Sequence, residues 1–463
     1  MKIPENAPKL ESLKPGYFEK LFDVQSSKEM SYIATLANKE YLYWDKFKYL
    51  NFPETVPPDL AWISLKLTRN SQIKKIPLRD TNGRYFGCWL PDEVLKYLHE
   101  IDQKASGQIL VDDPMTHAGE KERYLINSIM EEAIASSQLE GAAITREKAK
   151  EMLRLGKKPV DIAEQMILNN YITIRGIKKI IDKPLSRDLI IKIQASITKD
   201  TLENADAVGR FKKKGEEYQV VDQGDGVVLF DPPPVDEIDE RIQALCDYAN
   251  ETKNDTFIHP VVKATILHFW LAYIHPFVDG NGRTARALFY WHMLKNNYWL
   301  FEYLSISRIL YRTPEQYKRA FVYSEIDEQD MTYFLMFNVR AIDLSIKSLH
   351  LYLAKQQQEF QETVGLIRKY PGLNHRQCDL LYHAASHPRA LYTVKFQQNV
   401  HNVAYQTART DLLELEKKGF LSKIKAKGKE FVFVPAKELH SKIKNLLTSR
   451  NSHNGNSPES AHP

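Results

Sequence analysis

Cysteine is scarce in this sequence, which has three in 463 residues: Cys88, Cys246 and Cys378. They lie far apart, and none belongs to a CxxC pair. This argues against a disulfide framework and against a cysteine-based zinc site. A chain with few, scattered cysteines suits a reducing compartment, so we expect a cytoplasmic protein.

Long apolar runs are also missing. The N-terminal residues contain no apolar stretch of signal-peptide length. The longest apolar stretch, near 261–274, is interrupted by Lys263 and His268, so we expect neither a membrane span nor a membrane partner.

Excess charge is small, with a net charge of +5, which does not predict nucleic-acid binding for the chain as a whole. Hydrophobic residues make up 43% and charged residues 27% of the sequence, as in ordinary globular proteins. The length is enough for two or three domains, each with its own core.

Helical periodicity dominates the middle of the chain, so the predicted fold class is mainly α. The spacing of apolar residues predicts helices through most of 120–200, with Ser186 as the N-cap of a helix at 187–199. A helix at 260–274 is apolar nearly all round, which predicts a place in the core of a helical bundle.

Two short hairpins interrupt the helical pattern. The first is predicted at 76–91, with Asn82 and Gly83 in a tight type I′ turn. The second is predicted at 217–230, where short β-prone runs flank a glycine-rich stretch. Residues 1–100 otherwise mix short elements.

The C-terminal part has a different pattern. A long helix is expected after about 340, and Pro371 and Gly372 mark a boundary. Residues 375–436 have three helix patterns followed by two short strands around Gly428, which is the outline of a winged helix. The last residues, 446–463, are of low complexity and are predicted to be disordered.

The segment 404–421 is typical of a winged-helix recognition helix, with polar residues at its start (Gln406, Thr407, Arg409 and Thr410). Four lysines alternate with other residues in the strands that follow: Lys423, Lys425, Lys427 and Lys429. Alternation places them on one face, where they could meet DNA phosphates. The alternative is a solvated hairpin on a domain that binds protein or dimerises.

The most informative stretch is HPFVDGNGRTAR, residues 275–286. Gly280, Asn281 and Gly282 begin a predicted helix, where free backbone N–H groups and the helix dipole favour an anion. Arg283 and Arg286 are three residues apart, so we expect them to share a face and to bind phosphate oxygens.

Two further side chains of this stretch suit phosphate chemistry. Asp279 offers a hard oxygen ligand for a Mg²⁺ ion that bridges phosphates. His275, at the end of the core helix, can take a proton from a hydroxyl nucleophile. Phe277 is expected to anchor the loop in the core. The alternative is an ordinary turn between helices with solvated charges.

The stretch resembles the Fic motif HxFx(D/E)GNGRxxR, and the resemblance extends over roughly 110–345. All specified positions of the motif match, namely His275, Phe277, Asp279, Gly280, Asn281, Gly282, Arg283 and Arg286. The resemblance implies a Fic-type helical bundle with a small β-hairpin flap at 217–230, beside a mixed N-terminal region and a C-terminal winged helix.

The resemblance also implies an activity, the transfer of AMP from ATP to a tyrosine, threonine or serine hydroxyl of a target protein. His275 would be the base and Asp279 would hold Mg²⁺. The amides of 280–283 and Asn281 would bind the α- and β-phosphates, and Arg286 would bind the γ-phosphate. Tyr317 resembles a tyrosine near the adenine pocket, although a lone aromatic residue is also common in a core.

A second motif lies at residues 136–141, SSQLEG, and resembles the inhibitory pattern (S/T)xxxE(G/N) of the same family. Ser136 and Glu140 are four residues apart and are expected on one helix face. Glu140 can then pair with Arg286 and occupy the γ-phosphate position, which would make the enzyme autoinhibited. The alternative is a helix end with a solvated glutamate and Gly141 as a helix stop.

Two other functions remain open at this stage. One is the removal of AMP at the same site, and the other is a DNA-binding regulator that uses 372–445. The expected partner is a target protein or the chain itself, with DNA and a homodimer as further candidates. The predicted domains are an N-terminal region (1–110), a catalytic core with the inhibitory helix (111–345), a linking helix (346–371), a winged helix (372–445) and a tail (446–463).

Overall fold

The computed structural model describes a chain built mainly of helices. The residues described are 3–13, 16–105, 118–216, 218–221, 226–250, 257–370, 372–386, 390–425, 431–439 and 441–443. The mainly α fold class is therefore confirmed. None of the helices among these residues combines the length and the hydropathy that a membrane crossing requires.

The α-helices follow in chain order. Those before the 275–286 stretch are α1 (Tyr17–Gln25), α2 (Lys28–Glu40), α3 (Trp44–Phe47), α4 (Pro58–Gln72), α5 (Asp92–Ala105), α6 (Ala118–Gln138), α7 (Arg146–Leu155), α8 (Ile162–Gly176), α9 (Arg187–Thr198), α10 (Ile238–Asn250) and α11 (Pro260–Ile274). The later ones are α12 (Asn281–Lys295), α13 (Ile306–Arg312), α14 (Pro314–Ile326), α15 (Thr332–Lys369), α16 (His375–Ser386), α17 (Val394–His401) and α18 (Tyr405–Lys417).

Among the described residues, strands are few and short, and they form three antiparallel pairs. These are β1 (Lys74–Arg79) with β2 (Tyr85–Cys88), β3 (Val220–Val221) with β4 (Val228–Phe230), and β5 (Leu421–Lys425) with β6 (Phe431–Pro435). The second pair is the hairpin predicted at 217–230. Its tip at 222–225, like Glu217, lies outside the described residues.

The chain divides into two compact units. The first contains 1–109 and 124–349, and the second contains 110–123 and 350–463. The predicted N-terminal region thus belongs to the same compact unit as the predicted core. Of the predicted linking helix at 346–371, residues 346–369 belong to the continuous helix α15.

Helix α11 forms the centre of the first unit because its sequence is apolar on every side, as predicted. Its residues from Val261 to Ile274 are almost all buried, and α10 and α12 pack against it. Pro260 occupies the first helical position, where a backbone N–H group would have no intrahelical acceptor. Proline fits there because it has no N–H group. His259 caps the same end by accepting the N–H of Val261 at 3.2 Å.

The Ser186 cap is confirmed, because its Oγ accepts the backbone N–H of Leu189 at 3.2 Å. The type I′ turn predicted at Asn82 and Gly83 is wrong. Strands β1 and β2 are joined by a longer loop in which only Gly83 has a positive φ, 78°. The Asp80 carboxylate organises this loop by accepting the N–H groups of Asn82 and Arg84.

A buried arginine fastens the N-terminal helices to the rest of the first unit. Arg69 of α4 is fully buried and stacks over the Tyr41 ring, with its Cζ 4.0 Å from the ring centroid. Its guanidinium donates to the backbone oxygens of Ala37 and Leu42 and to Tyr333 Oη. These bonds tie α4 to the C-terminal end of α2 and to the residues that follow it.

Lys66 of α4 forms a second buried polar network with the segment before α15. Lys66 Nζ donates to Asp327 Oδ2 at 2.9 Å and lies 3.6 Å from Asp330 Oδ2. Tyr41 Oη donates to Asp330 Oδ2 at 2.6 Å. Since buried charges require partners, this network links α4 to the segment before α15.

The second unit contains the three helices and two strands predicted for 375–436. Its core includes Leu381, Leu412, Leu415 and Phe433, and Tyr392 bridges to Phe433 through two backbone hydrogen bonds of 2.8 Å. The winged-helix assignment remains a prediction. Lys427, Lys429 and the predicted tail at 446–463 lie outside the described residues.

We expect Arg69→Ala to lower the free energy of unfolding of the first unit by about 3 kcal/mol, because it removes a fully buried side chain together with its hydrogen bonds and its contact with the Tyr41 ring. Arg154→Ala is the matched control, since Arg154 is exposed and donates to Asn127 Oδ1. Its expected effect is within about 0.5 kcal/mol.

Urea unfolding followed by tryptophan fluorescence measures this difference without interference from the second unit. All tryptophans lie in the first unit, at positions 44, 62, 89, 270, 291 and 299. Equal unfolding midpoints for the two variants would contradict the structural role of Arg69.

Candidate active site

The loop between α11 and α12 carries the residues of the 275–286 stretch. Helix α11 ends at His275, whose left-handed backbone (φ 50°) turns the chain away while its N–H still donates to Leu271 O at 3.1 Å. At the other end, Gly280 has φ 85°, and a Cβ there would lie 2.8 Å from Thr198 Cγ2. Both the backbone angle and the space therefore require glycine.

Asn281 holds the loop closed from inside. Its Oδ1 accepts the N–H of Phe277 at 2.9 Å, and its Nδ2 donates to Phe277 O at 2.7 Å. The Phe277 ring is fully buried and contacts Phe211, as expected for an anchor. The side chain that was expected to contact phosphate is thus occupied by the loop itself, which leaves the backbone amides of α12 to face a ligand.

Gln194 of α9 is a residue that sequence reasoning missed. Its Nε2 donates to Asp279 O at 3.1 Å, while its Oε1 accepts the N–H of Gly209 at 2.8 Å. The side chain is fully buried. A buried glutamine within the apolar periodicity of 187–199 was the available signal, because such a group needs partners from elsewhere.

Glu140 lies directly over the start of α12. A Cβ built on Gly282 would collide with Glu140 Oε1 and lie 2.9 Å from its Cδ. The first N–H groups of a helix have no intrahelical acceptor, and the helix dipole favours an anion there. The Glu140 carboxylate therefore occupies the anion position that the sequence predicts.

Arg286 connects this carboxylate to α6. Its Nη2 donates to Glu140 Oε1 at 2.8 Å and to Ser136 O at 2.9 Å, and its Nε donates to Ser136 Oγ at 2.8 Å. Burial disfavours the charged guanidinium, but Glu140, Tyr317 and Glu132 together outweigh burial, and the pKa of Arg286 is raised. Helix α6 ends at Gln138, so Glu140 acts from the turn that follows the helix, not from the helical face itself.

The two arginines of the stretch have different partners. Arg283 is fully buried, its Nη2 donates to Asp279 Oδ2 at 2.8 Å, and its Nη1 donates to Ile197 O at 3.4 Å. Arg286 faces Glu140 instead. Residues three apart are separated by only about 60° around a helix, but the two side chains turn toward different acceptors, so they do not act together on one ligand.

His275 is the titratable group nearest the end of α11. Its Nδ1 lies 3.3 Å from Ala272 O, a geometry in which Nδ1–H donates and Nε2 keeps its lone pair. Burial lowers the pKa of His275 to about 3, with the nearby Lys212 charge acting in the same direction and Asp279 opposing it. The imidazole is therefore neutral at physiological pH and can accept a proton.

Tyr317 contacts a second buried histidine. Its Oη lies 2.9 Å from His268 Nε2. Burial raises the pKa of Tyr317 to about 12 against the opposing charge of Arg286, and burial lowers the pKa of His268 to about 3. The structure thus places Tyr317 within electrostatic range of Arg286.

Glu132 is another residue that the sequence did not single out. It is buried, and it accepts hydrogen bonds from Tyr290 Oη at 2.8 Å and from the N–H of Ser307 at 2.9 Å. Burial raises the pKa of its carboxyl. Two consecutive glutamates inside an apolar stretch, Glu131 and Glu132, were the signal, because one of them must turn inward on a helix.

Asp279 is the residue that fits a Mg²⁺ ion. Its side chain is 42% exposed although it also pairs with Arg283. The described residues contain no group of three or more His, Cys, Asp or Glu that could hold a metal by themselves. One carboxylate next to an anion site matches the way Mg²⁺ is commonly bound, by one or two carboxylates together with substrate phosphates.

Comparison with known proteins identifies one segment of the chain. Residues 184–293 match the model of the Fic/DOC family. Over 57 residues the chain is 42% identical to "Protein adenylyltransferase Fic" of Nematostella vectensis, which covers 12% of this chain and 13% of that protein. Over 69 residues it is 36% identical to "Protein adenylyltransferase fic-1" of Caenorhabditis elegans, which covers 15% and 13%.

These curated relatives are matched over only about an eighth of their own length. Among solved structures, a Fic family protein from Desulfovibrio desulfuricans has a TM-score of 0.48 and 17% identity, covering 74% of this chain and 94% of that one. Fic-1 from C. elegans has a TM-score of 0.47 and 16% identity, covering 75% and 91%.

The family match contains the whole 275–286 stretch, whereas Ser136, Glu140 and Tyr317 lie outside it. The stretch also has the loop, the helix start and the buried arginines described above. The chain therefore contains a domain of the Fic/DOC family, at residues 184–293.

Proposed function

We propose that this protein transfers AMP from ATP to a hydroxyl side chain of a protein, and that Glu140 inhibits the reaction. The observation that carries the proposal is the Glu140 carboxylate, which lies over the start of α12 and pairs with Arg286 beside a neutral His275. The names of the curated relatives, which are protein adenylyltransferases, support the same activity.

The proposed reaction needs a base, an anion site and an acceptor. The acceptor oxygen attacks the α-phosphorus of ATP, the bond from that phosphorus to the β-phosphate bridging oxygen breaks, and pyrophosphate leaves. The acceptor proton moves to Nε2 of His275, which is neutral before the reaction and has its Nδ1 directed toward Ala272 O.

The remaining site residues bind and orient the nucleotide in this proposal. The backbone amides at Asn281 and Gly282 receive phosphate oxygens, whereas the N–H of Gly280 donates to Asp279 Oδ1 at 2.6 Å. Arg286 binds the terminal phosphate through its guanidinium. Arg283 contributes indirectly by fixing the Asp279 carboxylate. Asp279 would hold Mg²⁺, which when bound neutralises phosphate charge.

Inhibition follows from the competition of two anions for one position. A terminal phosphate placed against Arg286 would meet the Glu140 carboxylate, and two negative groups at hydrogen-bonding distance repel each other. Ser136 keeps Arg286 directed toward Glu140 through its hydroxyl and its carbonyl. Tyr317 is proposed to lie beside the bound nucleotide, in view of its place near Arg286.

The proposal extends to partners and location. The acceptor is a target protein with a tyrosine, threonine or serine hydroxyl, or the chain itself. The three cysteines, Cys88, Cys246 and Cys378, are few and far apart in the sequence, which is consistent with the proposed cytoplasmic location.

ATP labelled at either the α- or the γ-phosphate tests the function directly. With Mg²⁺ and a protein acceptor, we expect label on protein from the α position only. Label should be strongest for Glu140→Gly and absent for His275→Ala. Glu140→Gln is the matched control, since it keeps the size and one hydrogen bond to Arg286 while it removes the charge. We expect it to be intermediate.

Label from the γ position would contradict the proposal and indicate a phosphotransferase. Equal labelling by wild type and Glu140→Gly would contradict the inhibitory role. If neither variant labels protein but wild type releases AMP from a modified target, the alternative activity of AMP removal would replace the proposed one.

The low pKa of His275 gives an expectation for pH dependence. The reactive form of a base is its unprotonated form, which is present above its pKa. With a pKa of about 3, the transfer rate of Glu140→Gly should stay constant between pH 8 and pH 5.5 at saturating substrate. A histidine with the usual pKa of about 6.5 would lose roughly tenfold by pH 5.5. A half-maximal rate near pH 6.5 would contradict the assignment.

A second function is proposed for residues 372–445, the binding of duplex DNA. Near the start of α18, Gln406, Arg409 and Thr410 are exposed, whereas Asp411 turns inward and pairs with Arg376. The exposed face of α18 is therefore polar and basic, and the Asp411 carboxylate does not lie on it. Such a face supports contacts with the phosphates and base edges of DNA.

The full-length chain with a fluorescein-labelled DNA duplex tests this second function by anisotropy. We expect binding that weakens as salt rises, because counterions are released from DNA, and we expect Arg409→Ala to weaken it. Lys437→Ala is the control, since Lys437 is exposed but follows the second strand. The absence of binding at low salt would exclude a DNA-binding regulator.

A further inference from the structure

Two residues that no motif contains, Lys212 and Tyr218, enclose the proposed base from the side of the β3–β4 hairpin. They belong to the segment that leads from α9 into this hairpin. Lys212 is nearly fully buried, while Tyr218 is partly exposed. Together we call them the brace of the catalytic loop.

The brace binds three consecutive carbonyl groups of the loop. The backbone N–H of Lys212 donates to Pro276 O at 2.8 Å. The hydroxyl of Tyr218 lies 2.6 Å from Val278 O and 3.1 Å from Phe277 O. The peptide planes between His275 and Asp279 are therefore fixed from outside, as Asn281 fixes them from inside.

The brace also contacts the imidazole itself. The Tyr218 ring meets the His275 ring edge-on, with centroids 5.7 Å apart and an interplanar angle of 89°. Lys212 Nζ lies 3.8 Å from the centroid of the Tyr218 ring, a cation–π distance. The Tyr218 ring thus packs beside an imidazole whose Nδ1 lies toward Ala272 O.

The segment that carries the brace is held by its own contacts. Arg210 makes two hydrogen bonds to the Glu216 carboxylate, at 2.8 Å and 2.7 Å, and Glu216 also accepts the N–H of Lys213. The Phe211 ring packs on Phe277. A closed loop of this kind can hold Lys212 and Tyr218 in place with little freedom of their own.

We propose that Lys212 and Tyr218 are positioning residues that hold His275 and its loop in the reactive arrangement. The inference rests on the proposed function, in which His275 is the base. The Tyr218 hydroxyl fixes the loop, its ring fixes the imidazole plane, and the Lys212 ammonium fixes the ring. The positive charge of Lys212 also disfavours the protonated form of His275. The other charged or titratable neighbours of His275 are Asp279 and Tyr218.

The test uses Tyr218→Phe, Tyr218→Leu, Lys212→Met and Lys212→Arg in the Glu140→Gly background. A misplaced catalytic group affects the chemical step more than substrate binding, so we expect kcat to fall roughly tenfold in Tyr218→Phe and further in Tyr218→Leu. The KM for ATP should stay within about twofold, since the nucleotide contacts are elsewhere. Lys212→Met should lower kcat. Lys212→Arg should keep kcat close to that of the parent, because arginine keeps the charge and the ring contact.

Tyr85→Phe is the matched control. Tyr85 is 40% exposed like Tyr218, it lies on the β1–β2 hairpin, and Arg79 lies over its ring, with Cζ 4.3 Å from the centroid. Its kcat should equal that of the parent. Tryptophan fluorescence verifies folding, and if Tyr218→Leu does not fold, Tyr218→Phe and the two Lys212 variants decide the test.

A second readout does not depend on AMP transfer. In protein labelled with ¹⁵N-histidine, the His275 signal, assigned with His275→Gln, reports the tautomer and the pKa of the imidazole. We expect Lys212→Met to raise that pKa and Tyr218→Leu to give a mixture of tautomers. If transfer is unaffected in His275→Ala, the proposed function fails, while these signals still decide the brace. Unchanged signals and unchanged kcat in all the Tyr218 and Lys212 variants would overturn the inference.

Discussion

The site depends on a buried guanidinium that must have an acidic partner. Arg286 has almost no exposure to solvent, and Ser136 supplies only neutral acceptors, a hydroxyl and a carbonyl. The charge therefore requires an anion at the start of α12, where the helix dipole also favours one. In the structure that anion is Glu140, and in the proposed reaction it is a phosphate. One position with two candidate anions is a simple physical basis for a self-inhibited site.

The loop before α12 meets a different constraint, because it must place a neutral imidazole next to an exposed carboxylate. Burial keeps His275 unprotonated, while Asp279 retains partial exposure although it pairs with Arg283. The loop is too short to hold this arrangement alone. Asn281 fixes it from inside, Gln194 fixes Asp279 from α9, and the Lys212–Tyr218 brace fixes it from the hairpin side. A set of polar groups from distant parts of the chain thus supports His275 and Asp279.

The N-terminal helices join the same compact unit through buried charge. Arg69 donates to backbone oxygens at Ala37 and Leu42, and Lys66 lies between Asp327 and Asp330. Such groups are costly to bury without partners, so their pairing specifies one arrangement of α4 against the segment before α15. Apolar periodicity could not have indicated this connection, which is why the sequence suggested a separate region for 1–110.

The sequence by itself determined the helical class, the apolar central helix, the Ser186 cap and the 275–286 motif, because each depends on local spacing or local capping. It also paired Glu140 with Arg286, through the resemblance of the two short motifs to one family. Only the tertiary structure decided that Arg283 and Arg286 have different partners and that Gln194, Lys212 and Tyr218 support the loop. It also replaced the predicted turn at Asn82 and Gly83 by a loop built on Asp80. These contacts join residues far apart in the chain or depend on one side chain's hydrogen bonds, and no periodic pattern records them.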